Sequence, residues 1–167
     1  LLPWLLEQGC QLVVLGQGEP ALQDALLDAA TRRPDAVAVF VDFNEALAHS
    51  IEAGADVFLM PSRFEPCGLN QMYSQAYGTL PVVHATGGLA DSVEDVKSGA
   101  EGVTGTGFVM PEPTVSALQH ALQRALALFA QPQDWRRVQE QGMARDFGWE
   151  SSARAYEGVY RGIWAGR

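Results

Sequence analysis

Cysteine is almost absent from this chain: Cys10 and Cys67 are the only two among 167 residues, too few for a disulfide framework. Histidine is equally sparse. His49, His84 and His120 lie far apart with no metal-ligand spacing, so no metal is expected. Positive charge is also short, with 11 Lys and Arg against 20 Asp and Glu and a formal net charge of −9. Such a surface repels polyanions over most of its area, which argues against a nucleic acid or an anionic membrane as partner. No apolar run approaches the roughly 20 residues that cross a bilayer. Leu1-Leu2-Pro3-Trp4 carries no basic segment and no small-residue cleavage site, so it is expected to be the interior of a longer chain rather than a signal peptide. A reducing, cytoplasmic setting fits these shortages best.

What the chain does have is alternation. Short β-branched runs at Gln11 to Leu15, Val37 to Val41, Val57 to Met60, Pro81 to His84 and Phe108 to Val109 are separated by amphipathic stretches. That pattern predicts a doubly wound α/β domain with a parallel sheet. Pro20 opens a helix carrying Leu22, Ala25, Leu26 and Ala29 on one face, and Asn44 caps another that Gly54 closes. A helix from Leu69 to Tyr77 would place Leu69, Met72, Tyr73 and Ala76 on its apolar face. Residues 91 to 106 read as loop. After Pro113 comes a helix with a stripe of Val115, Leu118, Leu122, Leu126 and Phe129, then one over Asp134 to Met143. A last helix from Ser151 carries Ala153, Tyr156, Val159, Tyr160, Ile163 and Trp164 along one side.

In such sheets ligands bind beyond the carboxyl ends of the strands. Gly16-Gln17-Gly18-Glu19-Pro20-Ala21 matches the short dinucleotide pattern, with Asp42 one strand later. Glu19, however, puts a negative charge at the proposed pyrophosphate site, and Pro20 removes an amide donor, so a plain strand-to-helix turn is the better reading. Pro61-Ser62-Arg63-Phe64-Glu65-Pro66-Cys67-Gly68-Leu69-Asn70 is richer. It sets a carboxylate just before a helix start, where unpaired amides and the helix dipole can hold a phosphate. Gly68 admits a ligand close to the main chain. From composition alone, a solvated surface loop remains an equal reading. Cys67 as a nucleophile has no neighbouring histidine in the sequence to activate it.

Pro61 through Leu69, then Tyr77-Gly78-Thr79-Leu80-Pro81, Thr86-Gly87-Gly88-Leu89-Ala90-Asp91 and Asp146-Phe147-Gly148-Trp149 together resemble the bacterial glycogen synthase and plant starch synthase family. The resemblance runs over nearly the whole chain. It implies a GT-B fold, and that residues 1–167 are a partial domain: the Rossmann-like, carboxyl-terminal nucleotide-sugar-binding half, lacking its first strand. It implies transfer of glucose from ADP-glucose to the non-reducing end of an α-1,4-glucan with retention, without a cofactor. Glu65 would face the donor glucose, Cys67 and Gly68 would offer amides to its hydroxyls, and Leu69 and Asn70 would meet the distal phosphate. Thr86, Gly87 and Gly88 would line the cleft near the diphosphate. Phe43 would pack on the adenine, and Tyr73 would lie near the ribose.

Two departures stand out: Asn70 where the family usually has Thr, and His84 where Arg is frequent. The resemblance also implies an upstream strand, an upstream Arg and Lys segment on the diphosphate, and an amino-terminal domain toward which the helix at about 150–167 would pack. The absent strand would lie between the first and third strands. The chain alone is therefore expected to close that gap by rearrangement or to self-associate through its open edges. Another retaining GT-B transferase using a UDP-sugar, a dinucleotide-dependent oxidoreductase and a noncatalytic interaction domain are the competing readings.

Overall fold

The computed structural model describes residues 1–100 and 102–165. Helix α1 (Leu2–Glu7) leads into strand β1 (Leu12–Leu15), then α2 (Pro20–Arg32), β2 (Val37–Phe40), α3 (Glu45–Gly54) and β3 (Val57–Met60). Next come α4 (Asn70–Tyr77), β4 (Leu80–His84), α5 (Gly87–Ser92), the short strands β5 (Lys97–Gly99) and β6 (Gly102–Thr104), and β7 (Phe108–Met110). Helices α6 (Val115–Phe129), α7 (Pro132–Met143) and α8 (Trp149–Ala165) complete the described part. Local chemistry accounts for the boundaries. The Asn44 side chain accepts from the Leu47 amide, Thr114 accepts from the Ala117 amide, and Gly78 ends α4 in the left-handed conformation.

The α/β class is as expected, and all the long strands pair in parallel. They form two separate ladders: β1 with β2, and β3-β4-β7 with β4 in the middle. Between β1 and β3 lies an open slot of about 990 Å³, lined among others by Leu12, Val14, Ile51, Val57, Leu59 and Leu126. The slot lies between the first and third strands, where the resemblance implies an upstream strand.

Burial is uneven as a result. The large core cluster runs from Leu80 to Val138 and joins β4, β6, β7, α6 and α7, with Leu1, Trp4 and Leu5 of α1 packed on it. Among the first 60 residues, only Ala29 and Val37 are buried apolar side chains. Strand β4 is buried on every residue, as a central parallel strand covered on both faces must be.

Three expectations need correction. Residues 91 to 106 are not simply loop: α5 extends to Ser92, and β5 and β6 form an antiparallel hairpin that buries Val103. Strands of three residues carry too little alternation to be seen in sequence. On α6 the buried residues are Ala121, Leu122, Ala125 and Leu128, while Val115 and Phe129 are exposed. The small residues allow close approach to the sheet, and part of the expected stripe (Leu126, Phe129) lines the slot instead. On α2 only Ala29 is buried. The described apolar side of α8, Tyr156, Val159, Tyr160, Ile163 and Trp164, is solvent-exposed. Gly166 and Arg167, at the end of the last helix as read from sequence, lie outside the described residues.

Candidate functional site

Pro61 stops β3, and residues 61 to 68 arch over the carboxyl end of the sheet before α4 begins. The arch is held from three sides. First, His84 at the end of β4 is 8% exposed, and its Nδ1 lies 2.8 Å from the Ser62 carbonyl oxygen, which fixes that nitrogen as the donor. Second, the turn after β4 closes on it: the Gly88 amide donates to the Glu65 carbonyl at 3.2 Å. The two loops approach so closely that a Cβ on Gly87 would overlap the Glu65 carbonyl oxygen, and one on Gly88 would overlap the Cys67 carbonyl. Only glycine is accommodated at both positions. Third, Gln71 is fully buried beneath the arch, and its Nε2 faces the carbonyls of Cys67 and Gly68 at 3.2 and 3.1 Å and the Ser92 hydroxyl at 3.0 Å.

This third anchor overturns the expected orientation of α4. Its buried residues are Gln71, Ser74 and Gln75, while Leu69 and Tyr73 point to solvent. The helix buries a polar face because that face supplies the hydrogen bonds the arch and α5 require: Gln75 Nε2 reaches the Gln71 and Ser92 carbonyls at 2.9 and 3.2 Å. Gln71, Ser74 and Gln75 share helical spacing, so the signal was present in the sequence as a polar stripe. Tyr73, expected on the core side, is 41% exposed and stacks at a tilt on His49, with ring centroids 5.5 Å apart.

The structure thus brings Glu65, Cys67, Gly68, Leu69 and Asn70 together with Thr86, Gly87 and Gly88 at one end of the sheet. Glu65 is half-buried, and its carboxylate has a single long contact, from the Ser62 hydroxyl at 3.5 Å, which leaves it available to a ligand. Gly68 adopts φ +72°, and a Cβ there would press on Gln71 Oε1. The Leu69 and Asn70 amides donate to no other backbone group among the described residues, as the first turn of a helix dictates. The exposed Cys67 thiol points at the Gly68 carbonyl and has no base beside it. Phe43 sits apart from this cluster, beyond the end of β2 on the other ladder, and is 90% exposed.

Nothing in the Gly16 turn resembles a dinucleotide cradle. Added Cβ atoms at Gly16 and Gly18 would meet nothing within 4 Å, and Ala21 is exposed rather than wedged against the sheet. Sequence reasoning did not single out Gln71, Ser92 or Glu52. Glu52 on α3 is 2% exposed and accepts from Asn70 Nδ2 at 2.7 Å. Burial pushes its carboxyl above the usual range, partly offset by that hydrogen bond and by His49.

Known proteins with this arrangement are recognisable. The family model described as "Glycosyl transferases group 1" matches residues 2–141. Glycogen synthase from Paracidovorax citrulli is 59% identical over 157 residues, covering 93% of this chain and 30% of that protein. Glycogen synthase from Cellvibrio japonicus is 52% identical over 162 residues, 97% of this chain and 34% of that protein. Among solved structures, the catalytic domain of starch synthase IV from Arabidopsis thaliana, bound to ADP and acarbose, superposes with a TM-score of 0.83 at 35% identity. The match covers 96% of this chain and 34% of that one. The chain spans about a third of the length of the relatives it matches.

Proposed function

The chain belongs to the group 1 glycosyl transferases, and from that premise we propose that it is the donor-binding half of a glycogen synthase moving glucose from ADP-glucose onto the non-reducing end of an α-1,4-glucan with retention. The observation that carries this reading is the arch. It leaves the Glu65 carboxylate with one long contact, ties the Glu65 main chain to the glycine turn 86–88, and ends on amides of α4 that donate to no other backbone group among the described residues. Cys67 and Gly68 amides would meet the glucose hydroxyls, while Leu69, Asn70 and the 86–88 turn would take the diphosphate. Charge develops on the leaving diphosphate as the glycosidic bond breaks, and preoriented amides stabilise it without reorganising. Glu65, beside the anomeric centre, would stabilise the positive charge developing on the sugar. Phe43 and Tyr73 would contact the nucleoside. No metal enters this reading.

Full-length protein incubated with glycogen and labelled ADP-glucose or UDP-glucose tests it. Preferential incorporation from ADP-glucose is expected. Preference for UDP-glucose moves the assignment to another retaining transferase of the same fold, and incorporation from neither refutes it.

The proposal extends to partners. The amino-terminal domain of the full enzyme would supply the glucan site and cover the apolar side of α8, and the catalytic clamp of Arg and Lys would come from outside these residues. Expressed by itself, the 167-residue chain is expected to be inactive and to self-associate through the unpaired edges of β1 and β3. Light scattering should give a mass well above 18.0 kDa; a monodisperse monomer sinks the idea.

A further inference from the structure

Beneath the phosphate end of the site lies a buried acid that the proposed reaction does not use. Glu52 Oε1 holds the Asn70 side chain at 2.7 Å, and Glu52 Oε2 is buried with no hydrogen-bond partner. Three elements surround this carboxylate. On its own helix, His49 Nδ1 stands 3.9 Å from Oε2. From α4 come Asn70 and, through His49, the Tyr77 hydroxyl at 3.3 Å from His49 Nδ1. From the turn before β4, Thr79 donates to the Glu52 and Ala55 carbonyls, fixing the end of α3. Among the described residues no Lys or Arg pairs with Glu52.

An ionised carboxylate tied to the first residue of α4 already occupies the positive end of that helix. It lies within a Debye length of any phosphate on the Leu69 and Asn70 amides, and its side chain is buried, although Glu52 and Asn70 also border the slot between β1 and β3. The incoming diphosphate and Glu52 therefore compete for the same field. Protonated, Glu52 ceases to compete and still positions Asn70 through its oxygens.

We infer that Glu52 is a positioning residue whose charge sets how tightly the α4 start holds the donor diphosphate, so that diphosphate binding and proton uptake at Glu52 are coupled. The inference rests on the assignment of Leu69 and Asn70 to the phosphate. Linkage makes the effect mutual: a bound diphosphate raises the Glu52 carboxyl further, and a protonated Glu52 binds the diphosphate more tightly. The burial-raised carboxyl places the change at a higher pH than an exposed glutamate would show.

The test is ADP titration of the full-length protein and of Glu52→Gln across pH 5.5 to 8.5. Glutamine keeps an acceptor for Asn70 and removes the charge. At the alkaline end Glu52→Gln should bind ADP about five-fold more tightly than the wild type, by the repulsion between like charges at such a distance. The ratio should fall toward one as pH drops through the Glu52 titration, and ionisation of ADP itself cancels because both proteins share it. Calorimetry in two buffers of different ionisation enthalpy should show additional proton uptake in the wild type only. A ratio of one throughout, or a constant ratio with no pH dependence, overturns the inference while leaving the phosphate assignment standing. Failure of folded wild-type protein to bind ADP at any pH overturns both.

Discussion

Replacing Glu65 by alanine in the full-length protein should lower turnover by about a hundred- to a thousand-fold, the usual cost of losing one preorganised charge at a reacting centre. ADP affinity should move little, because the proposed phosphate contacts come from amides of Leu69 and Asn70. Folding should hardly change either. The carboxylate has only the long contact from Ser62, and the group that ties the arch to the 86–88 turn is the Glu65 main-chain carbonyl, which alanine retains. Steady-state kinetics with ADP-glucose, alongside ADP binding and thermal melting, separates these effects. Turnover within a few-fold of the wild type would remove Glu65 from the chemistry.

The second large effect is expected at a residue that touches no substrate. Gln71→Met keeps the volume of a fully buried side chain and deletes the nitrogen shared by the Cys67 and Gly68 carbonyls and Ser92. Taking one of its two hydrogen bonds from the buried Ser92 hydroxyl, which still donates to the Gly88 carbonyl, and releasing two carbonyls should cost about 2 kcal/mol of stability. It should also free the arch to move, weakening donor binding and turnover together. Denaturant unfolding of the full-length protein and its KM for ADP-glucose give the two readouts. A stable variant with unchanged KM would show that His84 and the glycine turn hold the arch unaided.

The strand order along the chain, the helix cap at Asn44 and the loop bearing Glu65 were legible because each has a local signature: a β-branched run, a side-chain acceptor, a proline-bounded turn. The site loops after β3 and β4 could be chosen from the sheet rule, and their glycines fall where the two loops meet. Orientation was less legible. The expectation for α4 counted apolar residues, but the helix turns its glutamines inward because buried amides there satisfy carbonyls contributed by other parts of the chain. Hydrogen-bond demand of that kind is set by tertiary neighbours and leaves only a faint polar periodicity. The exposed face of α8 agrees with the resemblance, which implies a cover from outside these 167 residues; the apolar stripe alone states only that something covers it. Glu52 gave no signal, since a glutamate late in a surface helix is usually solvated.

The divided sheet also has a bearing on how a nucleotide is recognised. Nearly all buried apolar side chains belong to the half containing β4 and β7, which carries the 86–88 turn and buttresses the arch; the β1-β2 half, which carries Phe43, has almost none. Opening free energies follow buried contacts, so these halves should behave as separate cooperative units with different protection against hydrogen exchange. In the full-length protein a strand in the slot would join the two units, and with them the phosphate and base contacts.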